Sequence, residues 1–299
     1  MSMRNKVPVR ALPFELVEMT VVNLLRMAVT LLPRDVIDAI EMALEGEASP
    51  VARTQLEVIL ENIRLAEDGS IPMCQDTGVP LFFIKGHYED GLEEAIRNGV
   101  KKATQEIPLR PNVVHPLSRE NSGNNLGEGM PHISWQPTME DVIEIVVMPK
   151  GAGSENMSRS GMLNPSDGLK GVKEFVLESV VSAGGKPCPP TIVGVGIGGS
   201  SDIAPQLARR ALLRPLDKEN PVEELASLEA ELKTALNRTG IGPMGLGGDT
   251  TALGVRVETS HCHTASLPIA VCMQCWAARK AYARIYPDGM VSYSREGFD

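Results

Sequence analysis

Reactive side chains are concentrated in one short segment near the carboxyl end of the sequence. Residues 261–276 contain two of the chain's five histidines and three of its five cysteines. Thiolates and imidazoles bind metals and act as nucleophiles, bases and acids, so this concentration indicates a site rather than ordinary packing. Such a site needs distant residues to complete it, and elements of structure that hold those residues in place.

Composition narrows the kinds of protein that could carry this site. The chain has 299 residues, of which 42% are hydrophobic and only 4% aromatic, so a large core must be built mainly from aliphatic side chains. The net charge of −9 disfavours a nucleic-acid-binding surface. An anionic substrate would therefore need a local basic pocket.

Cysteine usage and the amino end together predict a cytoplasmic protein. Five cysteines without regular spacing do not resemble a secreted disulfide framework. The first ten residues are too short and polar for a signal peptide, and the apolar run Met19–Leu32 is interrupted by Asn23 and Arg26. In a reducing compartment, the cysteines are metal ligands, catalytic groups or core thiols.

Periodicity predicts a mixed α/β fold in two parts. Apolar residues at helical spacing indicate three amphipathic helices within residues 12–66, an amino-terminal helical lobe. Helices and apolar strands alternate after residue 78, which favours an α/β core over residues 67–299. Predicted strands cover 81–84, 142–148, 191–197 and 252–257, and predicted helices cover 91–105, 167–183 and 221–238. The long irregular stretch 108–137 is expected to form active-site loops.

A glycine-rich run offers one alternative function. Gly194–Gly199 matches the dinucleotide-binding pattern G-x-G-x-x-G, and Asp217 follows roughly 20 residues later, which would suit an NAD-dependent dehydrogenase. However, the first glycines interrupt an apolar run, whereas in nucleotide-binding folds the glycine turn follows a complete strand. The other interpretation is that these glycines allow close backbone approach in the core.

The pair Cys272 and Cys275 has the spacing of a zinc or thioredoxin-like motif. A zinc site would need a second close pair of ligands, which Cys262 and His263 could supply. The intervening run 265–271 is typical of a strand, and along a strand residues 272 and 275 point to opposite faces. Two buried thiols acting as small hydrophobic side chains are the simpler alternative.

Three cysteines at separate turns suggest a different site. Cys74 lies in a polar turn, Cys188 precedes two prolines, and Cys275 precedes Trp276. Three thiolates suit an iron–sulfur cluster with one iron left open, because fully ligated electron-transfer clusters normally take four cysteines. An open iron is a Lewis acid, which suits the addition or removal of water with an Asp or His moving protons.

These turns resemble those of a known family. The matching segments are Cys74–Gly78, Lys186–Pro190 and 263–279, supported by Pro108–Arg110, Asn121–Asn125 and Gly151–Ser154. Over nearly its whole length the chain resembles the iron–sulfur-dependent class I fumarase and L-tartrate dehydratase family, and specifically the alpha subunit of its two-subunit members. The resemblance implies that Cys74, Cys188 and Cys275 bind a [4Fe–4S] cluster.

The resemblance also implies roles for other residues. Its catalytic residues would be Asp76 and His263, and its substrate-binding residues would be Gln75, Arg110 and Gly153. Arg110 would pair with a substrate carboxylate, which suits a guanidinium group. Ala152 stands where many relatives carry glycine, and the roles of His115, Cys262 and Cys272 remain open.

The implied reaction is the reversible hydration of fumarate to (S)-malate. The alternative within the family is L(+)-tartrate dehydratase, which gives oxaloacetate. In fused members a carboxyl-terminal domain supplies the catalytic base, and this chain ends at Asp299, soon after Cys275. The resemblance therefore implies a separate beta subunit that supplies the base and further substrate contacts, in a hetero-oligomer such as α2β2. The chain alone is expected to catalyse little.

Overall fold

The structure, a computed structural model, describes residues 13–298, so predictions for residues 1–12 lie outside the described residues. In chain order its elements are α1 (Phe14–Thr30), α2 (Arg34–Gly46), α3 (Pro50–Gly69), β1 (Val79–Gly86), α4 (Leu92–Glu106), β2 (His132–Pro137), β3 (Ile143–Lys150), α5 (Ala152–Glu155), β4 (Arg159–Leu163), α6 (Gly168–Ala183), β5 (Thr191–Gly198), α7 (Ile203–Ala211), α8 (Glu223–Asn237), β6 (Ala252–Ser260), β7 (Leu267–Gln274), β8 (Ala281–Ile285) and β9 (Val291–Ser294). The predicted fold class, amino-terminal helices followed by a mixed α/β core, is confirmed.

Contacts divide the chain into two compact units. Unit 1 comprises the chain up to Val29, Thr77–Pro149 and the chain from Lys280, whereas unit 2 comprises Thr30–Asp76 and Lys150–Arg279. The boundaries of these units differ from the predicted boundary between residues 66 and 67. Helix α1 belongs to unit 1, and α2 and α3 belong to unit 2, because each helix buries its apolar side against a different sheet or set of helices.

Unit 1 is built on a five-stranded sheet in the order β2-β1-β3-β8-β9. Strands β1 and β2 are parallel, and β8 is antiparallel to both β3 and β9. Buried side chains of α1 and α4, including Leu25 and Ile96, share one core with Phe82 and Ile145 of the sheet. The stretch Phe14–Gly46 is apolar and long enough to pass for a membrane span by composition, yet 61% of its most apolar window is buried. Burial in this core accounts for the apolar character of α1.

Unit 2 is built on a four-stranded sheet in the order β4-β7-β5-β6. The central pair β5 and β7 is antiparallel, and β6 runs parallel to β5 along the edge. Helices α6 and α8 cover this sheet with Val176, Val180 and Leu232, which pack with Val193 and Val271 of the central strands. Strands β5 and β7 are buried along almost their whole length, and Cys188 and Cys275 flank them.

All but the last residue of the glycine run Gly194–Gly199 lies inside β5 rather than in a turn after it. The glycines inside the strand allow close packing. A methyl group on Gly196 would overlap the carbonyl oxygen of Ala204, and one on Gly194 would overlap that of Ala208, both in α7. Only glycine allows the helix to approach the strand this closely. The alternative of an NAD-dependent dehydrogenase therefore loses the loop on which it depended.

Replacing Gly196 with alanine is expected to lower the free energy of unfolding by about 2–3 kcal/mol, because α7 must move away from β5. Urea denaturation of the purified chain measures the change. Gly46→Ala is the matched control, since an added methyl group there meets no atom within 4 Å. That variant should unfold within about 1 kcal/mol of the parent chain. Equal stability of the two variants would contradict the assigned packing.

Candidate active site

The three cysteines predicted to act together lie in unit 2. Cys74 follows α3, Cys188 lies between α6 and β5, and Cys275 directly follows β7. Each is partly buried. Burial raises the pKa of the Cys188 thiol, and the charges of Cys275 and Cys74 raise it further. Three turns that are distant in sequence thus bring their thiols within electrostatic range of one another.

Backbone contacts hold two of these turns together. The amide of Trp276 donates a hydrogen bond to the carbonyl of Cys188 at 3.2 Å, and the amide of Cys188 donates to Gly185 at 3.1 Å. Cys188 has φ 55°, in the left-handed region that favours glycine. A non-glycine residue there costs about 1–3 kcal/mol, and such residues cluster at functional sites. The strained backbone supports a functional role for the Cys188 thiol.

Asp76 connects the Cys74 turn to the segment that begins with Gly151. Its Oδ2 accepts a hydrogen bond from the amide of Ala152 at 2.8 Å, and its carbonyl accepts one from Arg279 Nη1 at 2.6 Å. A methyl group on Gly151 would lie 3.2 Å from Asp76 Oδ2. This contact is tighter than ordinary van der Waals distance, so the position favours glycine.

Gly153 brings the same segment against the Cys188 turn. A methyl group on Gly153 would lie 3.1 Å from the carbonyl oxygen of Lys186, two residues before Cys188. The backbone of Gly153 is exposed, as its predicted role as a backbone contact for substrate requires. Four segments, 74–76, 151–153, 186–188 and 275–279, therefore surround one region of unit 2.

Two buried cations lie beside the thiols. Arg279 is 2% exposed and Lys150 is 3% exposed. Lys150 Nζ donates to Ser154 Oγ at 2.8 Å and lies 3.3 Å from a carboxylate oxygen of Glu155. Burial lowers the pKa of Lys150, whereas the charge of Glu155 raises it. Burial raises the pKa of Cys275, and the charge of Arg279 opposes that rise.

This donor set fits an iron–sulfur group. Within residues 13–298, no three His, Cys, Asp or Glu side chains are placed to hold a single metal ion. In an iron–sulfur cluster each thiolate binds a different iron, so the ligands need not converge on one point. The partly buried thiols of three turns, one adjacent carboxylate and two buried cations are the groups that such a cluster would meet.

Comparison with known proteins decides the family. The model of a family described as "Fumarate hydratase (Fumerase)" matches residues 18–284. The chain belongs to this family. It is 52% identical over 276 residues to the putative L(+)-tartrate dehydratase subunit alpha of Methanocaldococcus jannaschii, covering 90% of this chain and 97% of that one. It is 36% identical over 274 residues to the L(+)-tartrate dehydratase subunit alpha of Escherichia coli strain K12, covering 90% of each.

Membership of the fumarate hydratase family confirms the predicted class of enzyme, a hydro-lyase. The predicted substrate-binding residues Gln75 and Arg110 lie in different units of the chain. Gln75 is exposed in the turn between Cys74 and Asp76. Arg110 belongs to unit 1, where its amide donates to Thr77 Oγ1 at 2.9 Å and its side chain is exposed. The backbone of Arg110 is thus fixed, whereas its guanidinium group is available to a ligand.

Strand β7 separates His263 from Cys275. His263 lies in the exposed turn before β7, where its Nδ1 accepts a hydrogen bond from the amide of Ala265 at 3.1 Å. Cys275 follows the other end of β7. At about 3.3 Å per residue, the strand from Leu267 to Gln274 separates its ends by about 23 Å.

The remaining candidate residues, Cys262, Cys272 and His115, each have a different environment. Cys272 is buried inside β7, whereas Cys262 is exposed and its thiol donates to the carbonyl of Ser266 at 3.2 Å. His115 accepts hydrogen bonds at Nδ1 from the amides of Leu117 and Ser118 and lines a cavity of about 610 Å³ in unit 1. Cys272 and Cys275 therefore do not form a two-cysteine motif of the zinc or thioredoxin-like kind. Cys272 lies within β7, whereas Cys275 lies beyond its end.

The sequence prediction missed the buried cations of the site. Lys150 ends the apolar strand β3, and Arg279 follows Cys275 by four residues. A lone basic residue in an otherwise apolar run is a usable signal, because a buried cation requires partners. Lys150 has two partners, Ser154 and Glu155, which follow it by only four and five residues in the sequence.

Proposed function

We propose that this chain is the cluster-binding alpha subunit of a hydro-lyase that interconverts fumarate and (S)-malate. The observation that carries the proposal is the approach of three thiols from three separate turns, with the Asp76 carboxylate fixed beside them. The description of the matching family names the same reaction. The segments Pro108–Asn112 and Ser154–Ser158 resemble those of two-subunit fumarases, which further favours fumarate as the substrate.

Cys74, Cys188 and Cys275 would hold a [4Fe–4S] cluster. A cluster held by these three thiolates would keep one iron free of protein ligands, and that iron would serve as a Lewis acid toward substrate oxygen atoms. Metal binding requires the thiolate form, and the raised pKa values of Cys188 and Cys275 mean that assembly releases protons. Exposure of an open iron also leads us to expect sensitivity to oxygen.

Asp76 is proposed to hold and transfer a proton at the substrate hydroxyl. One carboxylate oxygen is fixed by the amide of Ala152, so the group keeps its orientation. Gly153 would offer its backbone at close range, and Gln75 would contribute a side-chain amide. Arg110 would bind a substrate carboxylate through its exposed guanidinium group. The position of His263 at the far end of β7 counts against contact with substrate bound beside Cys275 of the same chain.

A separate beta subunit is proposed to supply the catalytic base and further substrate contacts, in an assembly such as α2β2. The names of the two relatives identify those proteins as alpha subunits. We further propose a cytoplasmic location, because free thiols and an oxygen-sensitive cluster require a reducing compartment.

A second candidate substrate is L(+)-tartrate, from which loss of water gives oxaloacetate. This alternative is favoured by the names of the relatives, which are L(+)-tartrate dehydratase subunits. Tartrate and malate differ by one hydroxyl group, so the same Asp76 carboxylate could serve either reaction. The choice between them therefore depends on a direct assay.

The test is anaerobic co-expression with a beta subunit of the same family, followed by assays on fumarate, (S)-malate and L(+)-tartrate. The proposal expects fumarate and malate to interconvert, and turnover of L(+)-tartrate to be slower. Preferential turnover of tartrate would establish the second candidate. Full activity of the purified alpha chain alone would contradict the need for a beta subunit.

A further inference from the structure

Arg279 is a charged residue of unit 2 to which neither the sequence comparison nor the proposed reaction gives a role. It follows Cys275 by four residues and is 2% exposed, the bulkiest of the fully buried side chains. Burial of a guanidinium group costs several kcal/mol unless its charge and its donors are compensated. The groups around Arg279 therefore indicate why the fold keeps it there.

The hydrogen bonds of Arg279 within the described chain leave it incompletely compensated. Nη1 donates to the carbonyl of Asp76 at 2.6 Å, and a methyl group on Gly151 would lie 3.3 Å from Nη2. Nε is buried without a partner, and none of the ion pairs found among residues 13–298 joins Arg279 to a carboxylate. A buried N–H without an acceptor is uncommon and calls for a specific ligand or a functional cause.

Arg279 connects two of the three segments that carry the cysteines. It follows Cys275 by four residues. Through Nη1 the same side chain donates to the carbonyl of Asp76, two residues after Cys74. One guanidinium group therefore ties the Cys74 turn to the Cys275 segment.

We propose that Arg279 is a positioning residue for the iron–sulfur cluster: it ties the Cys74 turn to the Cys275 segment, and its buried Nε–H is the donor to a sulfur atom of the cluster. The inference rests on the proposed cluster. Partners outside the first ligand shell orient the ligands, and hydrogen bonds to cluster sulfurs raise the reduction potential because they stabilise the more negative reduced state.

The experiment compares Arg279→Met, which removes charge and donors, with Arg279→Lys, which keeps the charge. The full chain, co-expressed with the proposed beta subunit, is reconstituted anaerobically in each case. Iron loss to an excess of chelator and the midpoint potential of the cluster are the two measurements. Arg279→Met is expected to lose iron about tenfold faster than the parent chain, as found for other outer-shell partners. Its midpoint potential should be more negative, and Arg279→Lys should lie between the two.

Arg256→Met is the matched control. Arg256 is also a buried arginine of unit 2 with an unpartnered Nε, but its other donors meet Glu229 and the carbonyls of Pro215, Leu216 and Val255. If the inference is right, this variant leaves the midpoint potential of the cluster unchanged, whatever it does to stability. If Arg256→Met shifts the potential and speeds iron loss as much as Arg279→Met, the inference is overturned.

The outcomes separate this inference from the proposed function. A parent chain that takes up no iron–sulfur cluster overturns both. A parent chain that binds the cluster, with unchanged iron loss and potential in Arg279→Met, overturns the role of Arg279 and leaves the function standing. If Arg279→Met does not fold, the potential of Arg279→Lys decides, because exchange of the planar guanidinium group for an ammonium group removes the Nε donor.

Discussion

Replacement of Cys275 with serine is expected to abolish iron–sulfur incorporation and all hydro-lyase activity. Serine keeps the size of the side chain but is a poor iron ligand, and two thiolates are too few to retain a cubane cluster. The buried charge of Arg279 would then lack the thiolate beside it. The reconstituted parent chain should show broad absorbance at about 400 nm and about four irons per chain. The Cys275→Ser chain should show neither.

The other cysteines provide the controls for this prediction. Cys272→Ala removes a buried thiol from the middle of β7, so it should keep the cluster and lower the free energy of unfolding by about 1 kcal/mol. Cys262→Ser changes an exposed thiol and should alter neither property. The assignment of ligands would be wrong if Cys272→Ala lost its cluster while Cys275→Ser kept one.

Local signals in the sequence predicted many elements with accurate ends. The helix predicted over 167–183 is observed as Gly168–Ala183, and it ends because Gly184 adopts φ 54°, a conformation open to glycine. The helix predicted over 91–105 is Leu92–Glu106. Capping and periodicity are properties of neighbouring residues, so a single sequence can carry them.

Edge strands that form by pairing with a neighbouring strand could not be predicted from the sequence. Strand β2 lies within the stretch 108–137 that was predicted to be irregular, and it forms by pairing with β1 at the edge of the sheet. None of its side chains is fully buried, and only Ile133 and Trp135 pack against the core, so its apolar pattern is short. Strand β9 is likewise a short edge strand without a fully buried side chain. Such strands depend on a partner strand rather than on their own composition.

The candidate site likewise combines local features that the sequence predicted with contacts that only the folded chain creates. Polar turns and prolines marked Cys74, Cys188 and Cys275 as candidates, whereas their approach within unit 2 depends on the tertiary fold. His263 and Cys275 are close in sequence, but β7 lies between them and separates their turns. Lys150 had a local signal, because its partners Ser154 and Glu155 follow it closely in sequence. The partner of Arg279, the carbonyl of Asp76, becomes its neighbour only in the folded chain.

Replacement of Asp76 with asparagine is expected to lower kcat by about 10²–10⁴-fold, while the cluster absorbance is retained. Asparagine can still accept the hydrogen bond from the amide of Ala152, so the turn beside Cys74 keeps its shape. What is lost is a carboxylate able to take up and release a proton. Activity measured at saturating substrate, normalised to bound iron, reports this change separately from cluster loss.

Ala152→Pro tests the opposite half of the same contact. It removes the N–H donor but leaves the Asp76 carboxylate in place. Proline is tolerated at the first position of a helix, and Gly151, with φ −73° and ψ 143°, already has the extended conformation required before proline. We expect a loss of about tenfold in kcat, since the carboxylate is present but less firmly oriented. If Asp76→Asn were as active as the parent chain, Asp76 would only hold the turn, and the proton would have to move through another group.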